Sequence, residues 1–270
     1  MKDVTILIAA HKKYRMPEDP MYLPLQAGAA LSSEDFGFVR DDSGDNISAK
    51  NKTYCELSAL YWGWKNLDSD YTGLVHYRRY FALRKENPLK KEDPFARILK
   101  YEELEPILYH YALFVPVKRR YYIETLYSHY GHTHYADQLD LVRRIIEERL
   151  PEYLSVWDKA VNRTRGYMFN MMIMRRDLLD EYCTWLFAIL GEVESRYDSS
   201  ALDDYQARMY GRISEILLNV WLEKQLETGR IRKDQIKELP VVYTESINLV
   251  KKGSSFLKAK LFHQKYDRSF

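Results

Sequence analysis

Residues 70–81, DYTGLVHYRRYF, run from an apolar stretch (Tyr71, Gly73, Leu74, Val75) straight into one imidazole, two guanidiniums and two phenols within six residues. A strand that ends in large hydrogen-bond donors is what an α/β sheet presents to a ligand at its carboxyl edge. His76, Tyr77, Arg78 and Arg79 are therefore candidate binding residues, and the planar forks of the two arginines match phosphate oxygens well enough to suggest a diphosphate. The competing reading is a basic strand end that covers surface with Tyr and Arg.

Around this segment, 270 residues at 46% hydrophobic content give enough material for one large or two small domains with a core. The 23 tyrosines, against 10 Phe and 5 Trp, supply apolar area with a polar tip, which suits clefts for sugars or bases as well as a half-wet core. A net charge of +2 argues against a nucleic-acid binder, whose phosphate contacts need a basic excess. Cys55 and Cys183 lie within helix-like apolar patterns and suggest reduced thiols in a cytoplasmic protein. No secretory signal is expected, because Met1-Lys2-Asp3 leads directly into a seven-residue apolar run, too short to span a bilayer.

That run, Val4 to Ala10, reads as a buried parallel strand. A loop with Pro17, Pro20 and Pro24 follows, then turn chemistry over 40–51. Residues 53–66 predict a helix with Leu57, Leu60, Tyr61 and Trp64 on one face. After the strand at 71–75, a charged loop at 85–97 leads to a helical hairpin; a strand at 111–117 precedes a Tyr- and His-rich segment at 119–134. An amphipathic helix spans 137–149, an apolar strand 166–174, and helices 176–190 and 205–226. No repeat or Gly/Ser linker divides the chain, so the pattern gives one α/β domain with helical additions over residues 1–249.

The run DDSGDNISAKNKTYCELSALYWGWKN followed by YTGLVHYRRYF resembles a bacterial family of capsular and exopolysaccharide biosynthesis glycosyltransferases, long catalogued as a domain of unknown function; some members are galactofuranosyltransferases. The likeness continues through HYGHTHYADQL, GYMFNMMIMRRDLLDEYCTWLF and YGRISEILLNVWL, roughly residues 3 to 245. It implies a GT-A-like, Rossmann-type mixed sheet flanked by helices, with a nucleotide sugar, a UDP-sugar above all, as donor.

In that light His11 and Tyr14 sit where such folds receive base and ribose, and Asp42 can hold a uracil or a ribose hydroxyl. The competing readings are a strand-end cap for His11 and ordinary turn carboxylates for Asp41, Asp42 and Asp45. Asn46, Ser48 and Asn51 are donor-site candidates that are also N-cap types ahead of the helix. Glu56 can accept from the sugar or orient Arg78, and Asn170 falls where many GT-A enzymes contact the transferred sugar, although Met171 and Met172 replace the usual small residues. Where most GT-A enzymes place an Asp-x-Asp pair for Mn²⁺ or Mg²⁺, this chain has His76-Tyr77-Arg78-Arg79, which favours charge neutralisation by side chains without a metal cofactor. The alternative metal site, His129, His132 and His134 with Asp137, fits no common zinc spacing; acceptor or sugar binding and a structural role are its other readings.

An inverting transfer needs a base for the acceptor hydroxyl, and Asp137 and Glu215 are the leading candidates, with Asp203 and Asp204 behind them. Glu215 follows Arg212 by three residues, so the two can pair on one helix face. Residues 250–270 carry six basic side chains against Asp267, interleaved with Phe and Leu, as for a peripheral contact with the inner membrane face where lipid-linked glycan acceptors reside. The expected function is transfer of galactofuranose or galactose onto a growing cell-surface polysaccharide. The alternative is a non-catalytic nucleotide-sugar or glycan-binding partner.

Overall fold

The apolar run after Asp3 forms β1 (Val4–Ala10), and its alternation assigns the two faces of a central sheet: Leu7 and Ala9 enter one core cluster, Ile6, Ile8 and Ala10 the other. The computed structural model describes residues 2–85 and 92–245. After β1 come β2 (Tyr22–Gln26), β3 (Val39–Arg40), α1 (Asn51–Tyr54), α2 (Leu57–Asn66), β4 (Tyr71–His76) and β5 (Arg79–Phe81). The middle of the chain gives α3 (Tyr101–Leu108), β6 (Leu113–Pro116), β7 (Arg119–Arg120), α4 (Leu126–Thr133), α5 (Ala136–Arg149) and α6 (Leu154–Val161). The rest forms β8 (Arg165–Gly166), β9 (Met172–Arg175), α7 (Arg176–Arg196), α8 (Met209–Glu227), β10 (Ile236–Leu239) and β11 (Val241–Tyr243).

The sheet runs β10-β6-β9-β4-β1-β2-β3, with β5 joining β4 to β11. Strands β4, β1, β2 and β3 are parallel, and β9 is antiparallel to both its neighbours, so the sheet is mixed. Helices α2, α5, α6, α7 and α8 bury their apolar faces with Leu74, Val115, Met172 and Met174; α3 covers Val75, Phe114 and Ile173 on the other side. Each fully buried aliphatic contributes about 1.5–3 kcal/mol relative to exposure, which both covered faces require of β1 and β4. This is the mixed α/β, Rossmann-type arrangement that the sequence implies.

Several local expectations differ. The loop expected around Pro24 contains β2: β3 pairs only with Leu25 and Gln26, so Pro24 lies where β2 has β1 alone as a partner and its missing N–H is tolerated. The expected helix at 53–66 is broken at Cys55 (φ 52°), where the Asn51 side-chain amide donates to the Cys55 carbonyl at 2.7 Å. The expected strand at 166–174 is split between Gly166 at the end of β8 and β9 from Met172, because Phe169 and Asn170 take left-handed backbone conformations (φ 78° and 52°). In place of a helical hairpin there is α3 alone, and α6, β10 and β11 had no clear sequence signal. No described helix is long and apolar enough to cross a membrane, and the basic segment at 250–270 lies outside the described residues.

The turn segment 40–51 is organised by one buried carboxylate. Asp41 accepts from the Gly28 and Ala29 backbone N–H groups, both at 2.9 Å, from Ser58 Oγ at 2.7 Å, and from Ser48 Oγ. Gly28 is left-handed (φ 73°), and a Cβ there would meet the Asn51 side chain at 2.6 Å, so only glycine lets that loop reach Asp41. Replacement of Asp41 by Ala strands four buried donors, and we expect a loss of about 3 kcal/mol or more in urea unfolding at an unchanged m-value. A loss below about 0.5 kcal/mol, the scale of an ordinary surface substitution, would contradict this role.

Candidate active site

Because β1 and β4 are parallel and in register (Ala9 opposite His76), their carboxyl ends open at the same edge of the sheet. A cavity of about 460 Å³ lies there. Its lining includes Ala9 and His76 from the ends of β1 and β4; Arg78 comes from the β4–β5 turn and Arg79 from the start of β5, Cys55 and Glu56 from the break between α1 and α2, and Arg208, Arg212 and Glu215 from the start of α8. A second cavity of about 210 Å³ is also lined by Arg79, Tyr205, Arg212 and Glu215, so the two adjoin across these side chains. Tyr121, His129 and His134 line its far side.

Positive charge dominates the larger cavity. Arg78 pairs with Glu245 at 3.0 Å and lies over the Tyr77 ring. Arg79 lies over the Phe169 ring at 5.0 Å, Arg208 donates to Cys55 Sγ at 3.2 Å, and Arg212 stacks on Tyr205 at 4.2 Å while donating to its carbonyl. None of Arg79, Arg208 and Arg212 has a carboxylate at salt-bridge distance among the described residues. Guanidiniums without counter-ions around a concave site are a standing attraction for a polyanion. Desolvation first, then Arg208, Arg78, Lys12 and His76, holds the His11 pKa below its ordinary value, so His11 does not add to that charge at neutral pH. Its Nε2 meets the Tyr77 hydroxyl at 3.3 Å, and Tyr14 packs edge-on against the same ring.

Two carboxylates face these cations. Burial, and then the neighbouring Glu56, push the Glu215 carboxyl up to about 7; Arg119, Arg79 and the Phe169 backbone oppose the shift without cancelling it. Glu56 is fixed instead: Asn170 Nδ2 donates to its Oε1 at 2.7 Å. His76 contacts the Phe169 carbonyl through Nε2 at 2.6 Å; burial lowers its pKa, opposed by Glu56, which leaves a neutral ring donating Nε2–H. A carboxyl poised near neutrality beside unpaired arginines can take a proton from a hydroxyl while the arginines stabilise a leaving anion.

Of the residues singled out in the sequence, the fold brings His11, Asn51, Glu56, His76, Tyr77, Arg78, Arg79 and Glu215 onto the larger cavity. Asn170 does not line it: fully buried, it also donates to the Gly211 carbonyl and accepts from Ser214 Oγ, so it braces Glu56 and α8 from beneath. Asp42 is taken by a two-point ion pair with Arg40, at 3.2 and 2.7 Å. Asn46 closes a local turn onto Ser48 N–H, and Ser48 is spent on Asp41. The proposed Arg212–Glu215 pair does not form, since Arg212 turns back to Tyr205 and Gln206. Asp137 stands exposed in the first turn of α5 near Tyr197, and Asp203 caps the Gln206 N–H; none of Asp137, Asp203 and Asp204 lines either of these two cavities.

His129 and His134 reach the second cavity. His129 and His132 direct Nδ1 to the buried Glu124, at 2.8 and 2.7 Å, and His134 meets Gln206. Burial opposes ionisation of Glu124, but the two histidine hydrogen bonds outweigh it and hold the carboxyl below its usual range. Arg208 was missed by the sequence reading, yet Arg208, Arg212 and Glu215 recur at i, i+4 and i+7, a polar stripe in an otherwise apolar helix that marks one shared face.

The fold has a solved counterpart. The chain superposes on the apo structure of the WbbM bifunctional glycosyltransferase with a TM-score of 0.82 at 28% identity, covering 90% of this chain and 46% of that one. It therefore spans about half the length of that relative. No curated protein sequence matches the chain. Residues 5–226 match the family model described as a domain of unknown function, DUF4422, and with most of its length so matched the chain belongs to that family.

Proposed function

We propose that the chain is a glycosyltransferase that moves a hexose, galactofuranose or galactose, from a UDP-sugar to a hydroxyl of a growing, lipid-linked cell-surface glycan. The observation that carries the transferase reading is the union, at one sheet edge, of Arg79, Arg208 and Arg212 without carboxylate partners and Glu215 poised near neutrality. The likeness to the WbbM bifunctional glycosyltransferase supports the same reading.

In this mechanism the donor's diphosphate lies against the arginines, with base and ribose toward His11 and Tyr14. The acceptor occupies the second cavity. Its hydroxyl oxygen attacks the anomeric carbon as the bond from that carbon to the β-phosphate oxygen breaks; its proton passes to Glu215, and the electron pair leaves with UDP. Negative charge grows on the leaving diphosphate where the guanidiniums already are, so they stabilise the transition state more than the ground state.

We further propose that no divalent cation takes part. The corner that an acidic pair would occupy is cationic, and the nearest fixed carboxylate, Glu56, has one oxygen committed to Asn170. Among the described residues no three His, Cys, Asp or Glu side chains are grouped to hold a metal ion. The donor set thus fits an arginine-neutralised diphosphate better than a metal-bridged one.

Arg79→Ala should weaken UDP binding by about 1.5–3 kcal/mol in calorimetry, the scale of a charge-assisted hydrogen bond, and leave uridine binding unchanged. Equal UDP affinity would remove Arg79 from the phosphate site. For Glu215, kcat/KM should rise with pH through about 7 as the carboxyl loses its proton. Glu215→Gln should lower kcat by about 10²- to 10⁴-fold and erase that limb. The same shift has a stability sign: a carboxyl with its folded pKa raised from 4.5 to about 7 favours the folded state below 4.5, and that contribution is lost as pH rises through 7. The Gln variant should accordingly gain stability over the parent between pH 5 and pH 8. A wild-type rate with the limb intact in Glu215→Gln would place the base elsewhere.

A further inference from the structure

Three of the large hydrophobic residues most exposed in the described structure fall within seven positions: Val117 at 45%, Tyr122 at 82% and Ile123 at 74%. They surround β7, which forms a separate two-stranded sheet with β8. In that sheet Arg120 stands directly opposite Arg165, and both are exposed. Like charges facing each other across a strand pair are destabilising, and neither arginine has a carboxylate partner among the described residues. Neighbouring cations differ in this respect, since Arg163 is paired with Glu223 at 2.8 Å and Lys118 lies 3.9 Å from Glu238.

The tip itself is tied down. The Tyr121 N–H donates to the Thr164 carbonyl and the Leu126 N–H to that of Arg163, both at 2.8 Å, while Glu124 is held by His129 and His132. An ordered loop therefore holds two bulky apolar side chains in water beside two uncompensated guanidiniums.

We infer that the Tyr122–Ile123 tip, with Arg120 and Arg165, is a docking surface for an anionic phospholipid bilayer. The apolar pair enters the interface while the arginines meet lipid phosphates, the combination that interfacial binding requires. A few side chains are too little for a stable protein interface, which buries about 800 Å² on each partner, and a net charge of +2 does not suit a nucleic-acid track. Tyr121 and Arg119, in the same strand and turn, line the 210 Å³ cavity. Docking would thus bring the mouth of that cavity next to the membrane, though the inference stands without the transfer reaction.

The full chain should sediment with vesicles of phosphatidylcholine plus phosphatidylglycerol and only weakly with phosphatidylcholine alone. The double variants Tyr122→Ser/Ile123→Ser and Arg120→Glu/Arg165→Glu should each bind the anionic vesicles at least about five-fold more weakly. Both should keep the parent's unfolding midpoint, since none of the four side chains is in the core. Equal vesicle binding by either double variant and the parent overturns the inference. So does equal binding to both vesicle types, or a parent that binds heparin or RNA but no vesicle.

Discussion

The amide of Asn170 holds three parts of the chain at one point. Its nitrogen donates to Glu56 at the break between α1 and α2 and to the Gly211 carbonyl in the first turn of α8; its oxygen accepts from Ser214. To do this the residue is fully buried with a left-handed backbone, a conformation that its partly buried neighbour Phe169 shares and that costs of order 1 kcal/mol for each side chain with a Cβ. The strain is sustained because the amide is satisfied on both sides, and because it presents the Phe169 carbonyl to His76. With Glu56 fixed there, Glu215 faces a second carboxylate in a desolvated site, and one of the two must resist ionisation. Asn170 is thus a positioning residue: it sets the electrostatics of the cavity without lining it.

Two carboxylates, Asp41 fully buried and Glu215 half-buried at the cavities, show how environment separates scaffold from chemistry. Asp41 receives four hydrogen bonds and binds loops to a helix. Glu215 is poorly compensated and shares its surroundings with Glu56, so its pKa approaches neutrality. Divergent environments of this kind are how one fold assigns structural and acid–base roles to the same functional group. The arginines divide likewise: Arg40 and Arg163 are neutralised by carboxylates, whereas Arg79, Arg208 and Arg212 are not.

Strands β1 and β4 were legible because burial on both faces demands an uninterrupted apolar run, and the donors at their ends, His11 and His76 to Arg79, stood out against those runs and do line one cavity. Strand β2 was hidden by Pro24, whose prohibition in sheets lapses where one side has no partner. The break at Phe169–Asn170 depends on side-chain hydrogen bonds to distant segments, which no local pattern encodes, whereas that at Cys55 is closed by the Asn51 amide only four residues before it. Asp42, Asn46 and Ser48 misled because turn chemistry and ligand chemistry use the same residue types; their partners proved to be Arg40 and the loop itself. Glu215 was legible as a candidate, but its partner was misjudged: helical spacing pointed to Arg212, while the tertiary fold supplied Glu56.

The central claim is that guanidiniums at this sheet edge do for a diphosphate what a metal does elsewhere. Calorimetric titration of UDP in excess EDTA, with uridine as the control and a repeat in Mn²⁺, tests it most directly. The account predicts that UDP binds at least about ten-fold more tightly than uridine without metal, the effect of roughly one charge-assisted contact, and that Mn²⁺ changes little. UDP that binds no better than uridine until Mn²⁺ is added would contradict it.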